Sequence, residues 1–268
     1  MITDPPPRFS LPVFFGLILA LSLPFWVAGA LVPVDKLPIK LPISALMAIN
    51  PTIAALILIW RANGTSGSKQ FLQRALAVHR FRPRRWFAVS FLIMPGLLGL
   101  AYAMAVLLGY GTPNPSFPLG ALAIMSIVFF IAAFAEEIGW QGYAFEPLQA
   151  RWGLWGAGLR LGVVWALWHI IPFIQTGNPL WWIVWQSIYT VLFRMLIGWG
   201  YMLTERSVVA SVIIHATSNI AAFMTPNYGS GYNPLLATLC ISAVLLLISL
   251  NPSKRFEPGH KRQSPTPL

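Results

Sequence analysis

Residues 119–146 read LGALAIMSIVFFIAAFAEEIGWQGYAFE, and this stretch decides the fold class. It carries no charge before Glu136 and is apolar for most of its length. A helix of about 20 apolar residues crosses a hydrocarbon core of about 30 Å, because each residue rises about 1.5 Å. The stretch therefore predicts a membrane-spanning helix that carries two adjacent carboxylates, Glu136 and Glu137.

The composition of the whole chain is that of a membrane protein. Hydrophobic residues make up 57% of its 268 residues and charged residues 9%, whereas about 25% of the residues in a soluble domain are charged. Hydropathy predicts eight apolar spans, near residues 11–32, 41–60, 86–109, 119–146, 158–175, 181–203, 207–224 and 233–250. We predict an all-α membrane protein with one multi-pass domain over 1–268, in which about eight transmembrane helices enclose a polar intramembrane cavity.

The basic residues fall on one side of the membrane if the chain crosses it eight times. The net charge is +11, and all Lys and Arg residues except Lys36, Lys40 and Arg194 lie on the side of the termini. The positive-inside rule then places both termini in the cytoplasm, and we expect the bacterial cytoplasmic membrane as the location. This distribution accounts for the basic charge without nucleic acid as a partner.

Two polar segments lie outside the predicted spans. Residues 61–85 open with NGTSGS and continue as a basic stretch with apolar residues at helical spacing. This pattern predicts an amphipathic helix on the anionic cytoplasmic leaflet or, alternatively, a solvated basic loop. The polar, proline-containing tail at 252–268 is predicted to be disordered. The first span is longer than the apolar region of a signal peptide, so we expect it to be retained.

Ionisable and amide side chains inside the spans are the candidate functional residues. Besides the two glutamates, the fifth span carries His169, and the seventh carries His215 and Asn219. A charge at mid-bilayer costs about 2.5–3.5 kcal/mol on insertion scales, so such residues are usually functional. Three predicted helices therefore contribute polar groups to one candidate site.

The depth of these groups in the membrane agrees between helices. Glu136, His169 and His215 each lie nine residues from a position at the cytoplasmic end of the span, namely Phe145, Arg160 and Arg206 respectively. Nine residues of helix correspond to about 14 Å. The three ionisable groups are therefore predicted to lie in one layer.

Two chemistries fit these residue types. A carboxylate can take a proton from water that a histidine orients, while a second histidine and an asparagine donate hydrogen bonds to an oxyanion. Alternatively, Glu136, His169 and His215 could bind a divalent metal such as zinc, since two histidines and one carboxylate form a catalytic zinc set. The chain has no HExxH motif, so dependence on a metal cofactor stays undecided.

Three short motifs follow one another in a specific order. They read EEIGWQG at 136–142, WALWH at 165–169 and HATSN at 215–219. Over residues 118–224, they resemble the catalytic core of the CAAX protease and bacteriocin-processing family of intramembrane proteases. Within that family, the resemblance is to the type II CAAX prenyl endopeptidase group.

The resemblance implies a role for each motif residue. Glu136 would be the base that activates water, with help from His169. His215 and Asn219 would bind the oxyanion, and Glu137 would be a supporting residue.

The chain departs from the family pattern at two positions. Trp165 stands where phenylalanine is commoner, which preserves an aromatic side chain. Gln141 stands at the usual arginine position, four residues after Glu137. On an α-helix an arginine there could form an ion pair with Glu137, whereas glutamine offers a neutral hydrogen bond. We therefore expect Glu137 to lack a paired cation, which puts hydrolysis in question.

The leading hypothesis is an intramembrane endopeptidase that cleaves membrane-anchored peptides or proteins from a cavity open toward the cytoplasm. Its expected partners are that substrate and the lipid bilayer. In a bacterium, peptide maturation or bacteriocin self-immunity is favoured over CAAX trimming. One alternative is a non-catalytic immunity or binding protein of the same fold, and another is a proton- or ion-coupled transporter.

Overall fold

The computed structural model of the protein describes residues 10–37, 41–78, 85–111, 116–226 and 228–250. The regular secondary structure of these ranges is helical. They form eight α-helices, α1 (Leu11–Leu31), α2 (Asn50–Ala75), α3 (Arg85–Leu107), α4 (Leu119–Gly139), α5 (Glu146–Gln175), α6 (Leu180–Leu203), α7 (Val208–Met224) and α8 (Pro234–Leu250). A π-helical segment, Trp140–Phe145, joins α4 to α5, and 3₁₀ turns lie at Val34–Lys36 and Ile43–Ile49. The predicted tail at 252–268 lies outside the described residues.

The apolar helices have the lengths that a bilayer requires. Within the described ranges, five continuous helical runs are long and apolar enough to cross a membrane, namely Leu11–Leu31, Ile43–Ala75, Arg85–Leu107, Leu119–Gln175 and Leu180–Leu203. The remaining two, α7 and α8, are apolar helices of 17 residues each. The prediction of an all-α, multi-pass membrane protein is confirmed.

Two stretches between the predicted spans are helical apart from one residue each. The residues between the fourth and fifth predicted spans are part of α5, and only Gly153 departs from helical geometry, with φ 68° and ψ −179°. The NGTSGS stretch is part of α2, which breaks only at Gly64, with φ 65° and ψ −162°. Glycine adopts positive φ without a steric penalty, so a helix can change direction there within one residue.

The second half of α2 packs against the start of α5. Phe71 contributes to the apolar core, and Ala75 is buried. Arg74 Nη2 donates to both carboxylate oxygens of Glu146, at 2.7 and 2.8 Å. The Tyr201 hydroxyl donates to the same carboxylate at 2.8 Å. These contacts attach the described part of the basic segment to the bundle, while its placement on a lipid leaflet stays a prediction.

Close approach of α5 and α6 depends on two glycines four residues apart. A Cβ atom on Gly162 would lie 2.8 Å from the Val191 carbonyl oxygen and 3.2 Å from the Arg194 Cβ. A Cβ atom on Gly158 would lie 2.9 Å from the Met195 Cα. Small residues at this spacing allow membrane helices to pack backbone to backbone. Arg194 is thereby brought next to α5.

The end of α4 is fixed against α2. The Thr52 hydroxyl donates to the Ala135 carbonyl oxygen at 2.5 Å. Gly139 lies so close to Pro51 that any Cβ atom would overlap the backbone of that proline. These two contacts bracket Glu136 and Glu137 and hold their backbone in place.

The substitution Gly162→Val should destabilise the fold by about 1–3 kcal/mol, because the added atoms overlap the α6 backbone. Gly99→Val in α3 is the matched control, since its Cβ would meet nothing within 4 Å. The free energy of unfolding, measured by SDS titration in detergent micelles, compares the two. Equal loss of stability in both variants would contradict the close packing of α5 on α6.

Candidate active site

Glu137 is fully buried, and both of its carboxylate oxygens are hydrogen-bonded. Oε2 accepts a hydrogen bond from Arg194 Nη1 on α6 at 2.7 Å, and neither side chain is exposed to solvent. Oε1 lies 2.9 Å from Nδ1 of His215 on α7. One carboxylate on α4 therefore joins three helices.

Glu136 has a different environment. Its Oε2 accepts hydrogen bonds from two indole nitrogens, Trp165 Nε1 at 2.8 Å and Trp140 Nε1 at 3.3 Å. Its Oε1 accepts none from the part of the chain that the structure describes, and the residue is 6% exposed. Glu136 thus keeps one carboxylate oxygen available, whereas Glu137 keeps none.

Trp165 lies at the centre of the candidate site. Its ring is nearly perpendicular to the imidazoles of His169 and His215, with centroids 5.3 and 5.2 Å away. The guanidinium carbon of Arg194 lies 3.9 Å from the ring centroid, a cation–π distance. The indole therefore contacts both histidines and the arginine while its N–H binds Glu136.

Hydrogen bonding assigns the proton of neutral His169. Its Nδ1 lies 2.8 Å from the Trp165 carbonyl oxygen. A carbonyl oxygen only accepts, so Nδ1 carries the proton and Nε2 carries the lone pair. The ring is half-buried and stacks on Phe173, with centroids 5.6 Å apart.

The same reasoning applies to His215. A carboxylate only accepts, so Nδ1 donates to Glu137 and Nε2 is the free nitrogen. Nε2 accepts a proton when the ring is neutral and donates when the ring is doubly protonated. Asn219 follows one turn later on α7, is half-buried, and forms no hydrogen bond through its side chain within the described ranges. Its amide is therefore free to bind a substrate.

Gln141 does not pair with Glu137. It is fully buried, and neither its amide nitrogen nor its amide oxygen has a hydrogen-bond partner among the described residues. The expected hydrogen bond to Glu137 is therefore wrong. Gln141 lies in the π-helical segment, whose i→i+5 bonding departs from the α-helical register on which that expectation rested. The expectation that Glu137 lacks a cation is also wrong, because Arg194 supplies one.

The proposed metal ligands do not form a metal site. Across the described residues, no group of three or more His, Cys, Asp and Glu side chains could hold a metal ion. The candidate ligands were Glu136, His169 and His215. The ring of Trp165 contacts the imidazoles of both histidines. The described residues do not fit a zinc site of three protein ligands.

Two residues of the site were not expected from the sequence. Arg194 could have been predicted as a site residue, because an arginine inside an apolar span is usually functional. Its partner could not be read from the pattern, since Glu137 lies 57 positions away in the chain. Trp140 gave no separate signal, because tryptophans are common in membrane proteins at the bilayer interface.

Known proteins resemble the chain over the region that contains this site. Residues 117–221 match the family model described as Type II CAAX prenyl endopeptidase Rce1-like. CAAX prenyl protease 2 of Methanococcus maripaludis is 28% identical over 184 residues, which cover 63% of this chain and 67% of the relative. The family match includes the positions from Glu136 to Asn219.

The substitution Trp165→Phe should lower the free energy of unfolding by about 1.5–3 kcal/mol, because it removes a hydrogen bond to a buried carboxylate. Trp181→Phe is the matched control, since that side chain is 53% exposed. SDS titration in detergent micelles measures both. If Trp165→Phe were no less stable than Trp181→Phe, the indole would not be a significant donor to Glu136.

Proposed function

We propose that the chain, whose residues 117–221 match the Rce1-like type II CAAX prenyl endopeptidase family model, is an intramembrane endopeptidase acting on membrane-anchored peptides. The observation that carries this proposal is the unequal environment of the two glutamates. Glu136 retains a carboxylate oxygen without a hydrogen bond from the described residues, and Glu137 has both oxygens engaged. A carboxylate that acts as general base needs an oxygen within reach of water, and of the two glutamates Glu136 is the one with an oxygen that no described residue hydrogen-bonds.

In the proposed first step, a water molecule lies between Glu136 Oε1 and His169 Nε2. The water transfers a proton to Glu136 as its oxygen attacks the carbonyl carbon of the peptide. A C–O bond forms, and the carbonyl electron pair moves onto the carbonyl oxygen. In the neutral ring, His169 orients the water through its Nε2 lone pair, because Nδ1 carries the proton that is donated to the Trp165 carbonyl.

The oxyanion of this tetrahedral intermediate requires hydrogen-bond donors. Asn219 offers its amide N–H groups, which are not used by other described residues. His215 Nε2 donates when the ring carries two protons, while Nδ1 remains bonded to Glu137. Donors held in place before the reaction are worth several kcal/mol in a site that excludes water.

Collapse of the intermediate completes hydrolysis. The oxyanion electron pair returns to form the carbonyl, and the C–N bond breaks. The leaving nitrogen takes the proton held by Glu136, so the base is regenerated as a carboxylate. The products are a new carboxylic acid end and an amine, and transfer of the acid proton to the amine gives a carboxylate and an ammonium group.

We also propose how the site lies in the membrane. The run Leu119–Gln175 contains 57 residues, about 86 Å if it were straight, which exceeds the hydrocarbon core of about 30 Å. It therefore crosses twice and turns near Gly153, so that the chain crosses eight times. The positive-inside rule then puts both termini in the cytoplasm.

The substrate is proposed to approach where the site is least buried. His169 and Asn219 are half-buried, whereas Glu137 and Arg194 are not exposed at all. A peptide carbonyl entering on this partly exposed side would meet the water-binding and oxyanion groups first. The match to a CAAX protease family model makes a lipid-anchored peptide the first substrate to test.

A non-catalytic role is disfavoured by the ion pair at Glu137. That alternative rested on the glutamine at position 141, which leaves no arginine at the usual place. Arg194 provides the missing charge from α6 at 2.7 Å, so the substitution no longer implies loss of hydrolysis.

Glu136→Gln should reduce cleavage about 10²–10⁴-fold, the usual contribution of a general base. The matched control is Glu205→Gln, because Glu205 is exposed between α6 and α7. Purified wild type and both variants are incubated in detergent with a quenched fluorescent library of lipidated peptides. Cleavage that survives Glu136→Gln would contradict the assignment of the base.

Asn219→Ala should lower kcat about 10²–10³-fold with little change in KM, because an oxyanion donor acts mainly in the transition state. Steady-state kinetics on a peptide from the same library separates the two constants, and thermal unfolding checks that the variant is folded. An effect confined to KM would assign Asn219 to substrate binding instead.

A further inference from the structure

Arg194 has no other ion-pair partner than Glu137 in the described part of the chain. Its side chain is not exposed to solvent, and Nη1 donates to Glu137 at 2.7 Å. Nε and Nη2 have no hydrogen-bond partner among the described residues. The guanidinium therefore depends on Glu137 for its hydrogen bond.

Arg194 also contacts Trp165, the residue that donates a hydrogen bond to Glu136. Its guanidinium lies over the Trp165 ring at 3.9 Å, and the indole N–H of that ring donates to Glu136 at 2.8 Å. Through Glu137, the same arginine is one hydrogen bond away from His215. One cation thus connects the proposed base with the proposed oxyanion histidine.

The charges of the site require such a group. Glu136 and Glu137 are adjacent carboxylates that lie inside an apolar helix. A second negative charge beside the first costs free energy in a low-dielectric environment unless a cation is close. At position 141 the side chain is a neutral amide without partners, so the compensating charge has to come from another helix.

On these observations we propose that Arg194 is a positioning residue for hydrolysis, holding Glu137 and Trp165 so that His215 and Glu136 keep their reactive geometry. Arg194 supplies from α6 the positive charge that the neutral Gln141 does not supply. This inference rests on the proposed endopeptidase function. Arg194 acts through its neighbours and does not contact the substrate.

The shape of the side chain fits this role. A guanidinium is planar, so it can donate along its edge to Glu137 while its face covers the Trp165 ring. A lysine ammonium can form the ion pair but has no flat face for the ring. The backbone contact between Gly162 and α6 places the Cβ of Arg194 close enough to α5 for both interactions.

Kinetics of two Arg194 variants provide the test, with the lipidated peptide as substrate. Arg194→Gln should lower kcat about 10²-fold, as expected when reacting groups move by about 1 Å, and leave KM within about twofold. Arg194→Lys should retain part of the activity, about tenfold below wild type, because only the charge is preserved. The matched control is Arg160→Gln, an exposed arginine whose guanidinium lies 4.4 Å over Trp152.

A folded Arg194→Gln protein with the kcat of the wild type would overturn the proposal, and so would a lysine variant less active than the glutamine variant. If Arg194→Gln does not fold, the double variant Arg194→Gln/Glu137→Gln replaces it, because it removes both buried charges together. This double variant should regain thermal stability relative to Arg194→Gln but not kcat. Wild-type kcat in the double variant would overturn the proposal.

A measurement without turnover separates this inference from the proposed function. NMR spectra of protein with isotope-labelled histidine report the protonated nitrogen of His215. Arg194→Gln should shift the His215 signals, and Arg160→Gln should leave them unchanged. Unshifted signals would overturn the positioning role, whereas shifted signals in a wild-type protein that cleaves no lipidated peptide would overturn the proposed function instead.

Discussion

The buried contact between Arg194, Glu137 and His215 is the constraint on which the rest of the site depends. It joins α4, α6 and α7 through one carboxylate, with separations of 2.7 and 2.9 Å. Removing either partner of a buried ion pair leaves an uncompensated charge, at a cost of about 3–5 kcal/mol. The apolar helices around it must therefore pack so that these groups meet, and the glycines of α5 allow α6 to come close enough.

Two adjacent glutamates acquire different roles because neighbouring side chains on a helix point about 100° apart. Glu137 points toward α6 and α7, where arginine and histidine occupy both of its oxygens. Glu136 points toward α5, where Trp165 binds one oxygen and leaves the other available. The chemistry of the proposed reaction follows from this division, since Glu137 is fully buried with both oxygens hydrogen-bonded, whereas Glu136 keeps one oxygen without a bond from the described residues.

Much of the fold class could be predicted from the sequence, because apolar runs of bilayer length leave few alternatives. Individual side-chain contacts could not be predicted from the sequence. Gln141 was expected to bond to Glu137 from α-helical spacing, but the π-helical segment changes that register. The partner of Arg194 depends on how α6 packs against α4, which no local pattern specifies. The helix breaks at Gly64 and Gly153 were not predicted, since one residue of positive φ leaves only a weak trace in a sequence.

The central claim is that Glu136 is the general base of the proposed reaction, whereas Glu137 stabilises the packing of α4, α6 and α7. A crossed comparison of Glu136→Gln and Glu137→Gln tests it most directly, with cleavage rate and thermal stability measured on each protein. We predict that Glu136→Gln loses cleavage and keeps its stability, whereas Glu137→Gln loses stability because Arg194 is left buried without its partner. Retained cleavage in Glu136→Gln, together with full stability in Glu137→Gln, would contradict the account.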